Sequence, residues 1–307
     1  MSTGMNRREF ITRTLAAAPV VAAVGRMAAA QPAAAGPPVV VFSKYLQYMD
    51  YKTLAKTCRE LGLDGVDLTV RPGGHVEPDK VDTDLPAAVE AIRAEGLSVP
   101  MITTRYTDVD GPNVRGVFAR AGALGIPFVR VGNHTYDANG PIGPQLEKAI
   151  GEIRELTAVA AEHGLTLGYH NHSGMNNLGG PLWDLHQAIM AVDSPHFGSN
   201  FDTGHAMVEG AFGAWQVNAR LMAPVTKMAA VKDFVWKKDQ PEWVRLGKGV
   251  CQTVKALRIL RELGNFSGPI SLHFEYNPGG GDQGMVEEIR ATVPIMRGML
   301  KEAGYTT

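Results

Sequence analysis

Six of the nine histidines in this 307-residue chain fall where side chains from different strands could converge. His75, His134, His170, His172, His205 and His273 lie at or just after the ends of β-rich runs, whereas His163, His186 and His196 fall on helices or helix-to-strand joints. Side chains alternate along a strand, so a face is shared by every second residue. Gly168, His170 and His172 share one face, Asn200 and Asp202 another, Met228, Ala230 and Lys232 a third, and Ser271, His273 and Glu275 a fourth. If these faces turn toward one axis, His170, His172, Asp202, Lys232, His273 and Glu275 meet around it. Crowding such groups is costly unless they are paired or hold a metal. Imidazoles with carboxylates suit a borderline divalent ion such as Zn, Mn, Co or Fe. Each histidine alone reads as a hydrogen-bonded structural residue; the set from adjacent strands points to a site.

The elements that would position these residues repeat one pattern. An amphipathic helix ends in glycine and a β-rich run follows. The joints are Glu60-Leu61-Gly62-Leu63, Ala94-Glu95-Gly96-Leu97, Ala123-Leu124-Gly125-Ile126, Glu162-His163-Gly164-Leu165 and Glu262-Leu263-Gly264-Asn265. Glycine suits the left-handed conformation that often ends a helix. Eight strands are expected: Val39–Tyr45, Gly65–Arg71, Val99–Arg105, Phe128–His134, Thr166–His172, Gly198–Asp202, Met228–Phe234 and Pro269–Glu275. Strands alternating with helices imply a parallel sheet. Eight such units imply a single (β/α)8 TIM barrel, with its chemistry at the C-terminal strand ends. An open doubly wound sheet is the alternative, but no Gly-x-Gly-x-x-Gly follows the first strand, so no nucleotide cofactor is expected. Gly279-Gly280-Gly281 follows the last strand and reads as a flexible loop or a phosphate cradle.

Ahead of this body, Asn6-Arg7-Arg8-Glu9-Phe10-Ile11 resembles the twin-arginine export motif. The apolar run Leu15 to Val24 and small residues from Ala28 to Ala35 complete the order of a cleaved signal peptide. Residues 1–36 are therefore expected to be signal and linker, residues 37–307 the barrel, and the mature protein periplasmic or otherwise exported, with no membrane attachment after cleavage. The formal net charge is −1. Without residues 1–36, which hold Arg7, Arg8, Arg13, Arg26 and Glu9, 26 basic and 30 acidic residues remain, a net charge of −4. That balance argues against a nucleic-acid partner, which calls for a basic face. Cys58 and Cys251 are expected to be free, mostly buried thiols.

The body from Val39 to Ala303 resembles the xylose-isomerase-like barrel family of sugar phosphate isomerases and epimerases. The resemblance rests on Phe42-Ser43-Lys44-Tyr45-Leu46-Gln47, the stretch Gly65 to His75, Tyr169-His170-Asn171-His172, Phe201-Asp202-Thr203-Gly204-His205, Val231-Lys232-Asp233, Leu246-Gly247-Lys248-Gly249 and His273-Phe274-Glu275-Tyr276. The family typically binds a divalent metal through Glu, Asp, His and Glu on strands five to eight. Here His170 and His273 stand at the two Glu positions, Asp202 matches, and Ala230 stands where the His belongs. The resemblance implies a divalent metal (Mn, Zn, Co, Fe or Mg) on His170, Asp202 and His273, with His172, His205 or Glu275 available to rebuild the set. It implies proton removal beside a carbonyl of a small carbohydrate, with Glu275 as base, Lys232 as electrophile and His172 as an alternative proton carrier. Asp67, Arg71, His75, Arg130 and His205 are the expected substrate contacts, and Trp183, Trp236 and Trp243 could stack on a sugar ring. A lyase or dehydratase on a keto-sugar or keto-inositol, and a sugar-binding barrel without catalysis, are the alternatives. An abasic-site endonuclease shares the fold but needs a zinc cluster and a basic groove. A homo-oligomer is compatible with the sequence.

Overall fold

The computed structural model describes residues 36–306, so the twin-arginine motif, the apolar run and the cleavage region lie outside the described residues. Seven strands open the chain's barrel: β1 (Val39–Phe42), β2 (Gly65–Thr69), β3 (Ser98–Thr103), β4 (Phe128–Arg130), β5 (Thr166–His170), β6 (Phe197–Asp202) and β7 (Thr226–Val231). A hairpin of β8 (Asp233–Lys237) and β9 (Gln240–Val244) follows, and then β10 (Ile270–Leu272). The barrel closes in the order β1, β2, β3, β4, β5, β6, β7, β10, with β10 beside β1 and every barrel pairing parallel. The helices are α1 (Tyr51–Glu60), α2 (Val81–Ala94), α3 (Val114–Ala123), α4 (Ile142–Ala161), α5 (Trp183–Val192), α6 (Thr203–Glu209), α7 (Ala214–Met222), α8 (Thr253–Gly264) and α9 (Gly281–Ala303). No helix among the described residues is long and apolar enough to cross a membrane.

Strand alternation produces two cores. Outward residues such as Val41, Val66, Leu68, Ile102, Leu167 and Phe201 join the helices in one continuous apolar cluster. Each fully buried side chain of this size contributes about 1.5–3 kcal/mol relative to exposure. Inward residues Val40, Met101 and Met228 plug the barrel floor with Phe128 packed on them. Two residues further along these strands come Phe42, Thr103, Arg130 and Ala230, and beside them His170 and Asp202 end β5 and β6 and His273 follows β10. The apolar plug thus gives way to a polar layer toward the C-terminal strand ends.

All eight expected barrel strands are present, and each starts within two residues of the expected position. Most end earlier, because the chain turns out of the sheet while its apolar pattern continues; Ser43–Leu46, for instance, form a 3-10 turn. Gly62, Gly96, Gly125 and Gly164 take the left-handed conformation at φ of 76, 75, 70 and 69°. Gly264 differs. Asn265 turns left-handed there at φ 49°, and Gly264 is required because a Cβ would lie 2.1 Å from the Ala223 carbonyl oxygen.

Candidate active site

The polar layer is built by β5, β6, the β7 end and the segment after β10. Asp202 ends β6 and caps α6, its Oδ1 accepting from His205 N at 2.8 Å. Asn171 clamps the Asp202 backbone from both sides, donating Nδ2 to its carbonyl at 3.1 Å and accepting its N–H on Oδ1 at 2.7 Å. The abrupt turn into α6 swings His205 beneath the mouth, where Ser173 Oγ lies 2.7 Å from its Nδ1.

Lys232 emerges between β7 and β8 and buries its ammonium among these groups. Nζ lies 2.5 Å from Glu275 Oε1, 2.5 Å from His205 Nε2 and 3.3 Å from Asp202 Oδ2. Its path is narrow: a Cβ at Gly204 would meet Lys232 Cγ at 2.6 Å and the Trp243 ring at 3.1 Å. Trp243, carried by β9, lies 4.4 Å from Nζ at its ring centroid. The hairpin is held by Asp233. Its carboxylate accepts from the N–H groups of Phe234, Gly247, Gly249 and Cys251, each at 2.9 Å. The Lys232-Asp233 pair and the Gly247-Lys248-Gly249 turn are therefore one unit. A Cβ at Gly249 would sit 2.2 Å from Asp233 Oδ1.

Burial would raise the Glu275 carboxyl, but His205 and Lys232 outweigh it and hold Glu275 well below the usual carboxylate range. It is ionised and engaged by a cation. Burial, reinforced by Arg130 and other nearby cations, pushes the His170 and His273 rings well below the ordinary histidine value. Both are neutral imidazoles. His170 Nδ1 and Nε2, His273 Nε2 and Asp202 Oδ2 are buried without a hydrogen-bond partner. His170 Nε2 stands 3.5 Å from Asp202 Oδ2, too long for a well-formed bond.

Above this layer opens a cavity of about 630 Å³, lined among others by Phe42, Arg71, Arg130, His172, His273 and Glu275. His172 packs at 3.8 Å from the His205 ring and bonds the Ser173 carbonyl through Nδ1 at 2.9 Å. Of the residues expected to act, Glu275, Lys232, His172, His170, Asp202, His273 and His205 are brought together. Arg71 and Arg130 face the cavity from its other side. Asp67 and His75 do not line it. Asp67 is fully buried, accepting from Thr103 Oγ1 at 2.6 Å and Ser271 Oγ at 2.8 Å. His75 is tied to Thr69, whose Oγ1 lies 3.2 Å from Nδ1 and accepts its backbone N–H at 2.8 Å. Trp183 and Trp236 are exposed. Lys44 and Arg105 also line the cavity; the sequence puts them within the expected strands Val39–Tyr45 and Val99–Arg105, and the earlier ends of β1 and β3 release them to the mouth.

The model of the xylose isomerase-like TIM barrel family matches residues 55–295. The chain belongs to that family. No sequence among curated proteins matches it. Solved structures with the same fold include a xylose isomerase domain protein from Planctomyces limnophilus, 16% identical, covering 89% of this chain and 99% of its own at TM-score 0.66. A D-psicose 3-epimerase with D-tagatose from Clostridium cellulolyticum H10 is 13% identical, covers 86% and 99%, and has TM-score 0.65. An IOLI protein with a binding zinc atom is 13% identical, covers 88% and 100%, and has TM-score 0.68. At such identities the likeness is one of fold.

The donor set of this family member fits a divalent ion. Neutral imidazoles with open ring nitrogens, and a carboxylate whose Oδ2 makes no hydrogen bond but only an ion pair with Lys232 at 3.3 Å, are what a borderline metal requires. His170, Asp202 and His205 bring ligand atoms within 4.8 Å of one another, as do His172, His205 and Glu275. His273 stands outside both groups, and Ala230 offers no donor. His205 belongs to both groups, yet its Nε2 already faces the Lys232 ammonium. One lone pair cannot serve both cations, so a metal drawing on His205 requires Lys232 to withdraw.

Proposed function

We propose that this protein is a sugar isomerase or epimerase that begins by removing a proton from the carbon beside a carbonyl. The observation that carries the reading is the Glu275 carboxylate at the cavity mouth, 2.5 Å from the Lys232 ammonium. Glu275 is the base. Held by Lys232 it is a weak one. When Lys232 turns to donate to the substrate's carbonyl oxygen, it both stabilises the developing oxyanion and releases Glu275 to take the proton. His172, half-buried at the same mouth, is placed to return a proton from a second direction, which epimerisation requires. The cavity suits a monosaccharide-sized ligand, within the roughly 300–1,000 Å³ of small-molecule pockets. His170 and Asp202, with His273 or His205, would hold a divalent metal, which when bound polarises the carbonyl as a Lewis acid.

Glu275→Gln keeps the shape and removes the base. Against a panel of ketopentoses and ketohexoses it should lower turnover by about 10²–10⁴-fold while the thermal midpoint stays close to that of the parent. Wild-type turnover in Glu275→Gln would overturn the assignment. An unsaturated product would make the enzyme a lyase using the same proton removal, and sugar binding without turnover would make the barrel a binding protein. The N-terminal segment is proposed to direct the protein out of the cytoplasm.

A further inference from the structure

The mouth has two chemically different halves. The carboxylates and most of the imidazoles come from β5, β6, the β7 end and the segment after β10. The other half is cationic: Lys44 follows β1, Arg71 follows β2, Arg105 follows β3, and Arg130 ends β4, and all four line the cavity. Among the described residues none of these four side chains has a carboxylate within ion-pair distance. Arg130 Nη1 is buried and unpartnered. The guanidiniums of Arg71 and Arg130 instead rest at 5.2 and 5.3 Å from the same Phe42 ring centroid. Glu275 is the acidic side chain lining the cavity, and Lys232 engages it. Asp67 lies beneath, with both oxygens occupied by Thr103 and Ser271. Burial lowers the Arg71 pKa, and repulsion from Arg105 and Arg130 lowers it further. Asp67, Asp202 and Glu275 act on Arg130, and Asp67 on Arg71, only from beyond ion-pair distance, and the chain places three guanidiniums and an ammonium, like charges that repel, around one opening. Planar guanidiniums bind phosphate and carboxylate oxygens in pairs, an arrangement that a neutral sugar cannot match.

We propose that the β1–β4 half of the mouth binds an anionic group of the substrate, a phosphate or a carboxylate, through Arg71, Arg105, Arg130 and Lys44. This rests on the mouth being the substrate site. The substrate then spans the cavity, its anion on the arginines and its carbonyl end toward Lys232 and Glu275, so the anchor sets which carbon meets the base.

Titration calorimetry on the intact protein tests this without turnover. The probes are inorganic phosphate, acetate, D-fructose 6-phosphate, D-glucuronate and neutral D-fructose. The wild type is expected to bind D-fructose 6-phosphate or D-glucuronate at least tenfold more tightly than D-fructose. That affinity should fall at least tenfold in Arg71→Ala with Arg105→Ala, and should weaken as salt is raised. Arg105→Ala alone changes an exposed residue and should lower affinity with no change in thermal midpoint. Preference for phosphate and D-fructose 6-phosphate identifies a phosphorylated substrate; preference for acetate and D-glucuronate identifies a sugar acid. Failure of the wild type to bind either phosphate or acetate at roughly tens of millimolar, or equal anion affinity in the parent and both arginine variants, would overturn the proposal. Glu275→Gln should retain anion binding, so loss of the catalytic reading and loss of the anion site are separately visible.

Discussion

Asp202→Asn isolates the charge that holds Lys232 in the barrel. Asn caps helices as well as Asp, so the bond from His205 N at 2.8 Å, and with it the start of α6, survives. What is lost is the attraction between Oδ2 and Lys232 Nζ at 3.3 Å. At an effective dielectric of roughly 20, Coulomb's law gives about 5 kcal/mol for that pair. Removing one partner of a buried ion pair typically costs about 3–5 kcal/mol. Lys232 keeps Glu275 at 2.5 Å, which places the expected loss near the lower figure, about 3 kcal/mol. Asp202→Ala should lose about 1 kcal/mol more, because the cap goes too. Lys232→Met leaves Glu275 without its cation whatever stands at 202, so the cycle compares Asp202→Asn made in the parent and in Lys232→Met; the second step should cost about 2 kcal/mol less, the coupling energy of the pair. Urea unfolding of chelator-treated protein at neutral pH, followed by circular dichroism, measures all four variants. A loss below about 0.5 kcal/mol in Asp202→Asn, or strictly additive effects in the cycle, would refute the claim that Asp202 compensates Lys232.

Three further outcomes follow from the same geometry. Asp233→Ala strips the acceptor from Gly247, Gly249 and Cys251 N–H groups and should cost roughly 3 kcal/mol or more by urea unfolding; a cost under about 1 kcal/mol would show that the hairpin does not depend on it. Burial pushes the Cys58 thiol up to about 12, and burial with the nearby Asp233 raises Cys251 as well. Iodoacetamide at pH 8 should therefore modify neither in the native protein and both in denaturant, and rapid native labelling of Cys58 would contradict its burial. Arg7→Lys with Arg8→Lys should leave the precursor in the cytoplasm, and undiminished export of that variant on cell fractionation would remove the twin-arginine reading.

The barrel was legible because β-rich runs and glycine-ended helices recur along the chain, and both signals are local. Strand faces carried His170, Asp202 and His273 into one layer, since alternation survives small errors in strand ends. The hairpin β8–β9 was not foreseen. Its two-residue turn, Lys238-Asp239, lacks the glycine or asparagine that marks such turns, and Lys238 takes φ 55° regardless. The pairing of His205 with Lys232 depends on α6 starting directly at Asp202, for which the sequence offers only the three-residue spacing of a capping contact. Asp67 is an expected substrate contact only on the strength of the family resemblance, and the structure satisfies it inside the barrel instead. The hydroxyls that occupy it come from β3 and β10, and only the closed barrel brings them together. Lys44 and Arg105 escaped notice for a similar reason: their shared cavity exists only after β1 to β4 are placed side by side.

Hydrogen exchange beside the carbonyl tests the catalytic account most directly. Wild-type protein and Glu275→Gln are incubated in D2O with the ketopentoses and ketohexoses, D-fructose 6-phosphate and D-glucuronate, and deuterium at the carbon beside the carbonyl is followed by NMR. The account predicts exchange with at least one of these by the wild type, slowed by about 10²–10⁴-fold in Glu275→Gln. Equal exchange rates for the two proteins would contradict it and move the base away from Glu275.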